Sequence, residues 1–297
     1  MSYTKLYEKR KNILGGNMGS NGLDNISILV VGYDGYIDVW NNFFDLMNKY
    51  WKDRPKTYLA TSELKPYYKN VEVIPAGSNS EWSNRARNAL KYINTPYVLL
   101  MLEDFYISDY VDNDKLKEVM NVVIDNDILY YQVLVQLLCQ KWERGKAYKG
   151  NRRIHIIPKD KKYGINLQAA IWKTDYLRET IGCGNYNAWE FEIKQLKVNN
   201  CNEDRIEYLI DDRNILNITH AIVQSKYLRG AVKKMERIGH NIDLSERSVL
   251  SIKEDFKYNL KLFMYSVIPR KMHSFAKKIG RVFNIDFVTD RMEKIVK

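Results

Sequence analysis

The sequence predicts an α/β fold: a mostly parallel central sheet with flanking helices, followed by a basic helical C-terminal tail. Three observations carry this expectation. Tyr97 to Leu102 is an unbroken apolar run without alternation, the pattern of a strand covered on both faces. Before it, short apolar runs alternate with stretches of helical spacing. Charge is also divided along the chain: residues from Lys226 onward carry 17 Lys and Arg against 8 Asp and Glu, while the rest carries 30 against 28.

The elements follow in order. Residues 1–25 form a polar leader with no apolar core of the signal-peptide kind. Ile26 to Val31 is the first strand, and Gly32-Tyr33-Asp34-Gly35 is a turn. Ile37, Trp40, Phe44, Met47 and Trp51 recur at helical spacing, which predicts a helix over 36–51. Thr57 to Ala60 and Val71 to Ile74 are further strands. Ser80 to Ile93 is a helix with Ser80 as N-cap and Trp82, Ala86, Ala89, Leu90 and Ile93 as its apolar stripe. After the strand at 97–102, Asp112 to Ile124 reads as a helix. Strand-like segments follow at 128–138, 153–157 and 165–172, helices at 175–180 and 189–197, pieces that fit either strand or helix at 206–210 and 215–218, and a basic helix from His220 to Gly239.

Composition removes several function classes. The chain has 297 residues, 45% apolar, enough for a folded core. Cys139, Cys183 and Cys201 match no metal or disulfide spacing, and the four histidines are scattered. These features suit a reducing, cytoplasmic compartment. There is no glycine-rich dinucleotide fingerprint, phosphate-binding P-loop, nucleophile elbow or zinc-protease motif. The near-neutral body lacks a basic stripe with interleaved aromatics, so nucleic acid is not an expected partner. In the tail, Met272, Phe275, Ala276, Ile279, Val282 and Phe283 share one helical face, with Arg270, Lys271, Lys277, Lys278 and Arg281 mostly on the rest. That pattern fits an interfacial helix on an anionic membrane; packing on the domain or on another subunit of a homo-oligomer are the alternatives.

Candidate site residues cluster where strands end. Ligands of open α/β sheets sit beyond the carboxyl ends of the strands. Glu103 and Asp104 lie just there, and hard carboxylate oxygens suit Mg²⁺ or Mn²⁺ on a diphosphate, with a solvated loop as the alternative. Asp34, past the first strand, can accept from a base N–H or a ribose hydroxyl, or simply form a turn with Gly35. Arg85, one turn into its helix, can reach a phosphate or a carboxylate, or lie on the surface. Glu190 and Glu192 stand among aromatic residues, where a carboxylate can serve as a general base or simply be one of the acids that enrich a helix's first turn, and Trp189 can face a sugar ring. Asn166 and Gln168 fall on one side of a strand, and can bond a substrate or form a buried amide network.

The segments "GYDGYIDVWNNFFDLMNKYW", "TYLATSE", "SEWSNRARNALKYINTPYVLLMLEDFYISDYVD", "YGINLQAAIWKTDYLRE" and "NAWEFE" together resemble bacterial GT-A type glycosyltransferases of capsule, O-antigen or other surface polysaccharide assembly. The resemblance covers about residues 26–220. It implies a GT-A-like, Rossmann-like catalytic domain over 26–225; the basic helical region over 226–297 follows it and is read from its own charge and apolar face as a contact with a membrane surface or another subunit. It implies an inverting transfer from a nucleotide sugar, UDP-type favoured, to a glycan or lipid-linked acceptor at the inner face of the cell membrane. Asp104 maps to the metal and diphosphate position with Glu103 beside it, and Asp34 to the nucleotide side together with Ser80, Trp82 and Arg85. Glu190, or next Glu192, maps to the base, and Asn166, Gln168 and Trp189 to the sugar or acceptor. The family's Asp-x-Asp pattern is absent, since Glu103-Asp104-Phe105 has no second aspartate at that spacing. A nucleotidyltransferase on a similar sheet would need a Gly- and Lys/Arg-rich loop after the first strand, where only Gly32 and Gly35 stand. A non-catalytic scaffold would leave Asp104 and Glu190 far apart.

Overall fold

The computed structural model describes residues 23–134, 145–158, 164–195 and 206–267. The chain runs β1 (Ile26–Val31), α1 (Ile37–Tyr50), β2 (Thr57–Thr61), β3 (Val71–Pro75), α2 (Trp82–Leu90), β4 (Tyr97–Met101), β5 (Phe105–Ile107) and α3 (Asn113–Asp125). It continues through β6 (Tyr130–Gln132), β7 (Ala147–Tyr148), β8 (Asn151–Ile156), β9 (Ala170–Lys173), α4 (Thr174–Ile181) and α5 (Ala188–Gln195). The last described elements are β10 (Tyr208–Asp211), β11 (Ile218–His220), β12 (Ile222–Val223), β13 (Lys226–Tyr227), α6 (Arg229–Arg237) and α7 (Ile252–Val267).

Nine strands form one sheet in the order β3-β2-β1-β4-β9-β6-β10-β8-β7. Strands β3, β2, β1 and β4 are mutually parallel, as expected from the β-α-β alternation. Beyond β4 the sheet is mixed. Strand β9 runs antiparallel to both β4 and β6, and only β6 and β10 restore a parallel pair. The reversal has a geometric consequence: the start of β9 and the residues before it lie beside the carboxyl ends of β4 and β6, with Ala170 paired to Leu100 and Gln132.

Side-chain alternation along the inner strands explains their unbroken apolar sequence. In β1, Ile26, Ile28 and Val30 face a core with α1 and α3, while Leu29 and Val31 face a second core with α2, α4 and α5. Strand β4 divides the same way, with Tyr97, Leu99 and Met101 on the first side and Val98 and Leu100 on the second. Both faces are covered, so neither can carry polar residues. Gly32 allows β1 to end close against α1, since a Cβ there would meet the Trp40 indole at 2.7 Å.

Several elements differ from the sequence expectation. Ser80 does not cap α2; Glu81 holds that position and the Ser80 hydroxyl donates to Gly77 O at 2.6 Å. The segment 164–169 is irregular, and strand structure begins only at Ala170, so Asn166 and Gln168 do not lie side by side on a strand. The basic helix expected from His220 begins at Arg229 and follows three short strands. Gln224 and Ser225, both at positive φ, make the two-residue turn joining β12 and β13. The expected amphipathic helix after Pro269 and the leader to Gly22 lie outside the described residues.

Residues past 225 join the same core. Tyr227, Leu228, Ala231, Met235 and Leu250 are buried in the cluster that holds β1 and α1. Arg247 locks this segment to the β1–α1 connection. Its Nε and Nη2 donate to the two Asp38 carboxylate oxygens at 2.9 and 3.0 Å, and Nη1 donates to Ser225 O at 2.9 Å. The guanidinium also lies over the Tyr36 ring, 4.1 Å from its centroid. Breaking a buried charge pair leaves its partner uncompensated, at a cost of about 3 kcal/mol. Arg247→Ala is therefore expected to lower the stability of the whole body by about that amount, and urea denaturation followed by tryptophan fluorescence measures it.

Candidate functional site

The carboxyl ends of β1, β2 and β4 and the irregular segment before β9 converge on one edge of the sheet. The turn between β4 and β5 brings Glu103 and Asp104 to that edge in succession, and the two meet different surroundings.

Glu103 turns inward. It is 6% exposed, and one of its oxygens accepts from the Tyr33 backbone N–H at 3.0 Å. Burial raises its pKa from the usual 4.5 to about 7, and the Asp104 charge adds to the rise. The Tyr33 N–H and the Arg85 guanidinium pull the other way without overcoming it. Arg85 is buried, not on the surface. Its Nη1 donates to Ser80 O and, at 3.3 Å, to Ser62 Oγ, so it ties the start of α2 to the end of β2. Its Nε is buried without a partner.

Asp34 holds loops together. Its two oxygens accept from the backbone N–H groups of Ser62 at 2.8 Å, Glu63 at 2.8 Å and Leu64 at 2.9 Å. Both oxygens are thus engaged in joining the β1 and β2 loops. Beside it, Tyr33 exposes 57% of its surface and meets Tyr36 edge-on.

Asp104 turns toward β11. Strand β11 pairs with β5 in a small antiparallel ribbon that sets His220 opposite Phe105. The Ala221 N–H donates to Asp104 O at 2.8 Å. This register brings His220 Nε2 to 3.3 Å from Asp104 Oδ2 and lays the imidazole near the Phe105 ring, centroids 5.0 Å apart. Asp104 Oδ1 is buried with no hydrogen-bond partner, a costly state for a carboxylate oxygen unless a ligand completes it. On the far side, His220 Nδ1 is 3.3 Å from the Tyr258 hydroxyl of α7. Burial and the Asp104 and Asp255 charges raise that phenol to about 12, so it keeps its proton.

The two glutamates of α5 have separate environments. Glu190 accepts from Asn187 Nδ2 at 2.9 Å while its N–H donates to Asn187 Oδ1 at 3.0 Å, a reciprocal pair at the helix start. Glu192 lies one half-turn on and points back to the sheet edge. Its Oε1 accepts from the Leu167 N–H at 2.9 Å. Burial raises its pKa, outweighing that N–H, and the nearby Asp104 charge raises it further. The Leu167 amide is itself held by a side-chain amide network. Gln132 Nε2 donates to Gln168 Oε1 at 2.9 Å, Asn166 Nδ2 donates to Gln132 Oε1 at 3.4 Å, and the Gln168 N–H donates to Asn166 Oδ1 at 2.9 Å.

The edge therefore gathers Glu103, Asp104, Arg85 and Glu192, and leaves other candidates outside it. Trp82 is buried against Phe191, ring centroids 4.9 Å apart, and is part of the second core instead of a ligand surface. Trp189, 58% exposed, stands at the start of α5. Asn166 and Gln168 belong to the amide network that shapes the edge. Tyr33, His220 and Tyr258 join the edge without being among the candidates that the sequence marks. No local motif marks them, because His220 and Tyr258 reach Asp104 only through the β5–β11 ribbon and the placement of α7. A separate concavity of about 840 Å³, lined by Asp24, Arg54, Lys56, Thr95, Asn113 and Lys117 among others, lies at the opposite, amino-terminal edge of β1, β2 and β4, away from these groups. Among the described residues no group of three His, Cys, Asp or Glu is arranged to hold a metal ion. None of the described helices is long and apolar enough to cross a membrane.

No family model and no curated relative matches the sequence. Solved structures give weak likenesses. S. aureus TarS 1-349 is 13% identical with a TM-score of 0.39, covering 63% of this chain and 60% of its own. The same protein in complex with UDP-GlcNAc is 13% identical with a TM-score of 0.40, covering 89% and 76%. The apo-form glycosyltransferase GlyE in Streptococcus pneumoniae is 12% identical with a TM-score of 0.36, covering 85% and 63%. The chain thus spans about 60% of the length of the first of these. At such scores the likenesses assign no family, and the chemistry rests on the site itself.

Glu103 makes a direct prediction. Its folded pKa, about 7, lies above the usual 4.5, so between these values the folded state holds more protons than the unfolded one. Stability must then fall as pH rises from about 4.5 to about 7, by up to roughly 3 kcal/mol. Glu103→Gln should remove that slope, as read from urea midpoints at pH 5 and pH 8.

Proposed function

We propose that this chain is a glycosyltransferase, moving a sugar from a nucleotide-sugar donor to a glycan or lipid-linked acceptor. The observation that carries this reading is the pairing of Asp104, whose buried Oδ1 lacks a partner, with Glu192, whose carboxyl is raised above its usual pKa by burial, on one sheet edge. One carboxylate suits the charged end of a donor and the other suits deprotonation of an acceptor.

In this reading the diphosphate lies at Asp104 and His220. Asp104 and His220, a carboxylate oxygen and an imidazole nitrogen 3.3 Å apart, are the residues that would hold a divalent cation, and this mixed donor pair suits Mn²⁺. Such a cation, when bound, supplies positive charge for the departing nucleoside diphosphate. Glu103 is a poor direct ligand, since it is turned inward to the Tyr33 amide. The exposed Tyr33 ring suits stacking on the donor base, while Asp34 keeps the surrounding loops in place.

Glu192 takes the acceptor hydroxyl's proton as that oxygen attacks the anomeric carbon. The bond from that carbon to the diphosphate oxygen breaks on the opposite face, which inverts the configuration. The Leu167 N–H fixes one Glu192 oxygen and leaves the other to receive the proton. Glu192 is the better base than Glu190, which the Asn187 pair holds at the helix start. The exposed Trp189 suits the apolar face of an acceptor sugar.

The deciding measurement is a screen of nucleotide sugars for transfer or hydrolysis, with and without Mn²⁺. With a competent donor in hand, Glu192→Gln should lower kcat by about 10²-fold or more while UDP affinity measured by calorimetry stays unchanged. Glu190→Gln should act mainly on stability. Full activity in Glu192→Gln would remove the base assignment. We further propose that the basic region 226–297 rests on an anionic membrane surface, drawn by its excess of 17 Lys and Arg over 8 Asp and Glu. Sedimentation with phosphatidylserine vesicles should then weaken steeply between low and high salt.

A further inference from the structure

We propose that Tyr258 is a positioning residue for the donor site: by holding the His220 ring against Asp104, it makes the C-terminal helix α7 part of that site. This deepens the proposed reading, in which Asp104 and His220 receive the diphosphate end of the donor.

Three groups form a line from the sheet edge to α7. Asp104 Oδ2 meets His220 Nε2 at 3.3 Å, and His220 Nδ1 meets the Tyr258 hydroxyl at 3.3 Å. The Phe105 ring, tilted 31° to the imidazole, backs it from one side. The β5–β11 register fixes the backbone of His220 but not the rotation of its ring. Rotation is set by what the two ring nitrogens bond, and Tyr258 is the partner of Nδ1.

The chemistry of that partner matters. A neutral imidazole carries hydrogen on one nitrogen only. Facing a bare carboxylate, Nε2 carries the hydrogen and donates to Asp104, so Nδ1 accepts from the Tyr258 O–H. When Nε2 is instead a ligand of a cation, the hydrogen lies on Nδ1 and the phenol oxygen accepts it. A hydroxyl serves both states by rotating its own hydrogen. Phenylalanine serves neither, although it fills the same space. Partners that bond the far nitrogen of a ligating histidine set its tautomer and orientation, and losing them costs about 10- to 100-fold in metal affinity.

Helix α7 is anchored at its start by other contacts. Lys226 meets Glu254 at 2.7 Å, and Glu254 also accepts from the Ser251 N–H at 2.8 Å. Tyr258 lies one turn further on and brings its hydroxyl to His220 Nδ1. Occupation of the Asp104–His220 pair and docking of α7 are therefore linked, each favouring the other.

The test compares the full chain with Tyr258→Phe. Long-range ¹⁵N–¹H NMR of the histidine rings, assigned by loss of the His220 signals in His220→Gln, reads the tautomer without any ligand. Wild type should show hydrogen on Nε2, and Tyr258→Phe a mixture. A titration with Mn²⁺ alone, followed by electron paramagnetic resonance, should show affinity reduced about ten-fold in Tyr258→Phe. Hydrogen exchange of residues 252–267 should slow on Mn²⁺ binding in wild type and not in the variant. An unchanged tautomer together with unchanged Mn²⁺ affinity overturns the proposal. If wild type binds neither Mn²⁺ nor UDP but the tautomer still shifts in the variant, the donor-site reading fails while Tyr258's hold on the ring is upheld.

Discussion

The turn after β4 carries two carboxylates in succession, and accommodating both at one sheet edge is the constraint around which the neighbouring residues are arranged. The strand is buried on both faces and paired on both sides, so its end is fixed in place. Glu103 is taken into the interior, where the Tyr33 amide and the nearby Arg85 offset part of the cost of burial. Asp104 is left with one oxygen at His220 and one buried oxygen without a partner. Unpaired buried oxygens of this kind cost stability and persist where a ligand completes them. The unpartnered oxygen of Asp104 is what supports the proposed reading of this edge.

The edge is built from segments far apart in sequence, each held by its own local device. Asp34 joins the loops after β1 and β2 through three backbone N–H bonds. Arg85 ties the second of those loops to the start of α2. Arg247 fastens the segment after α6 to the β1–α1 connection. Gln132, Asn166 and Gln168 brace the backbone that presents the Leu167 N–H to Glu192. These are rigid supports, and rigidity is what lets a few side chains keep fixed geometry toward a charged ligand.

Much of the fold was legible because it depends on local pattern. The parallel strands β1 to β4, helices α1 to α4 and the covered character of β4 follow from apolar spacing, within a residue or two at most ends. The mixed half of the sheet was less legible. Its strands are short, and whether a short apolar run pairs parallel or antiparallel depends on neighbours that sequence spacing does not specify. The segment 164–169 shows the same limit: its Asn and Gln side chains bond one another and make an irregular brace where alternation suggested a strand.

For the site, the sequence by itself determined that Glu103 and Asp104 stand at the carboxyl end of a central strand, and that α5 carries acids among aromatics. Those statements need only strand order and periodicity. The tertiary structure decided the surroundings of each candidate. It placed Trp82 in the core, used both oxygens of Asp34 in loop bonding, engaged Glu190 with Asn187, and left Glu192 on the Leu167 N–H within reach of the Asp104 charge. It also brought in His220 and Tyr258, which no local motif marks. The reason is physical: which way a carboxylate points, and how far its pKa moves, is set by burial, nearby charge and the donors that reach it through space, and these are supplied by residues as far along the chain as α7.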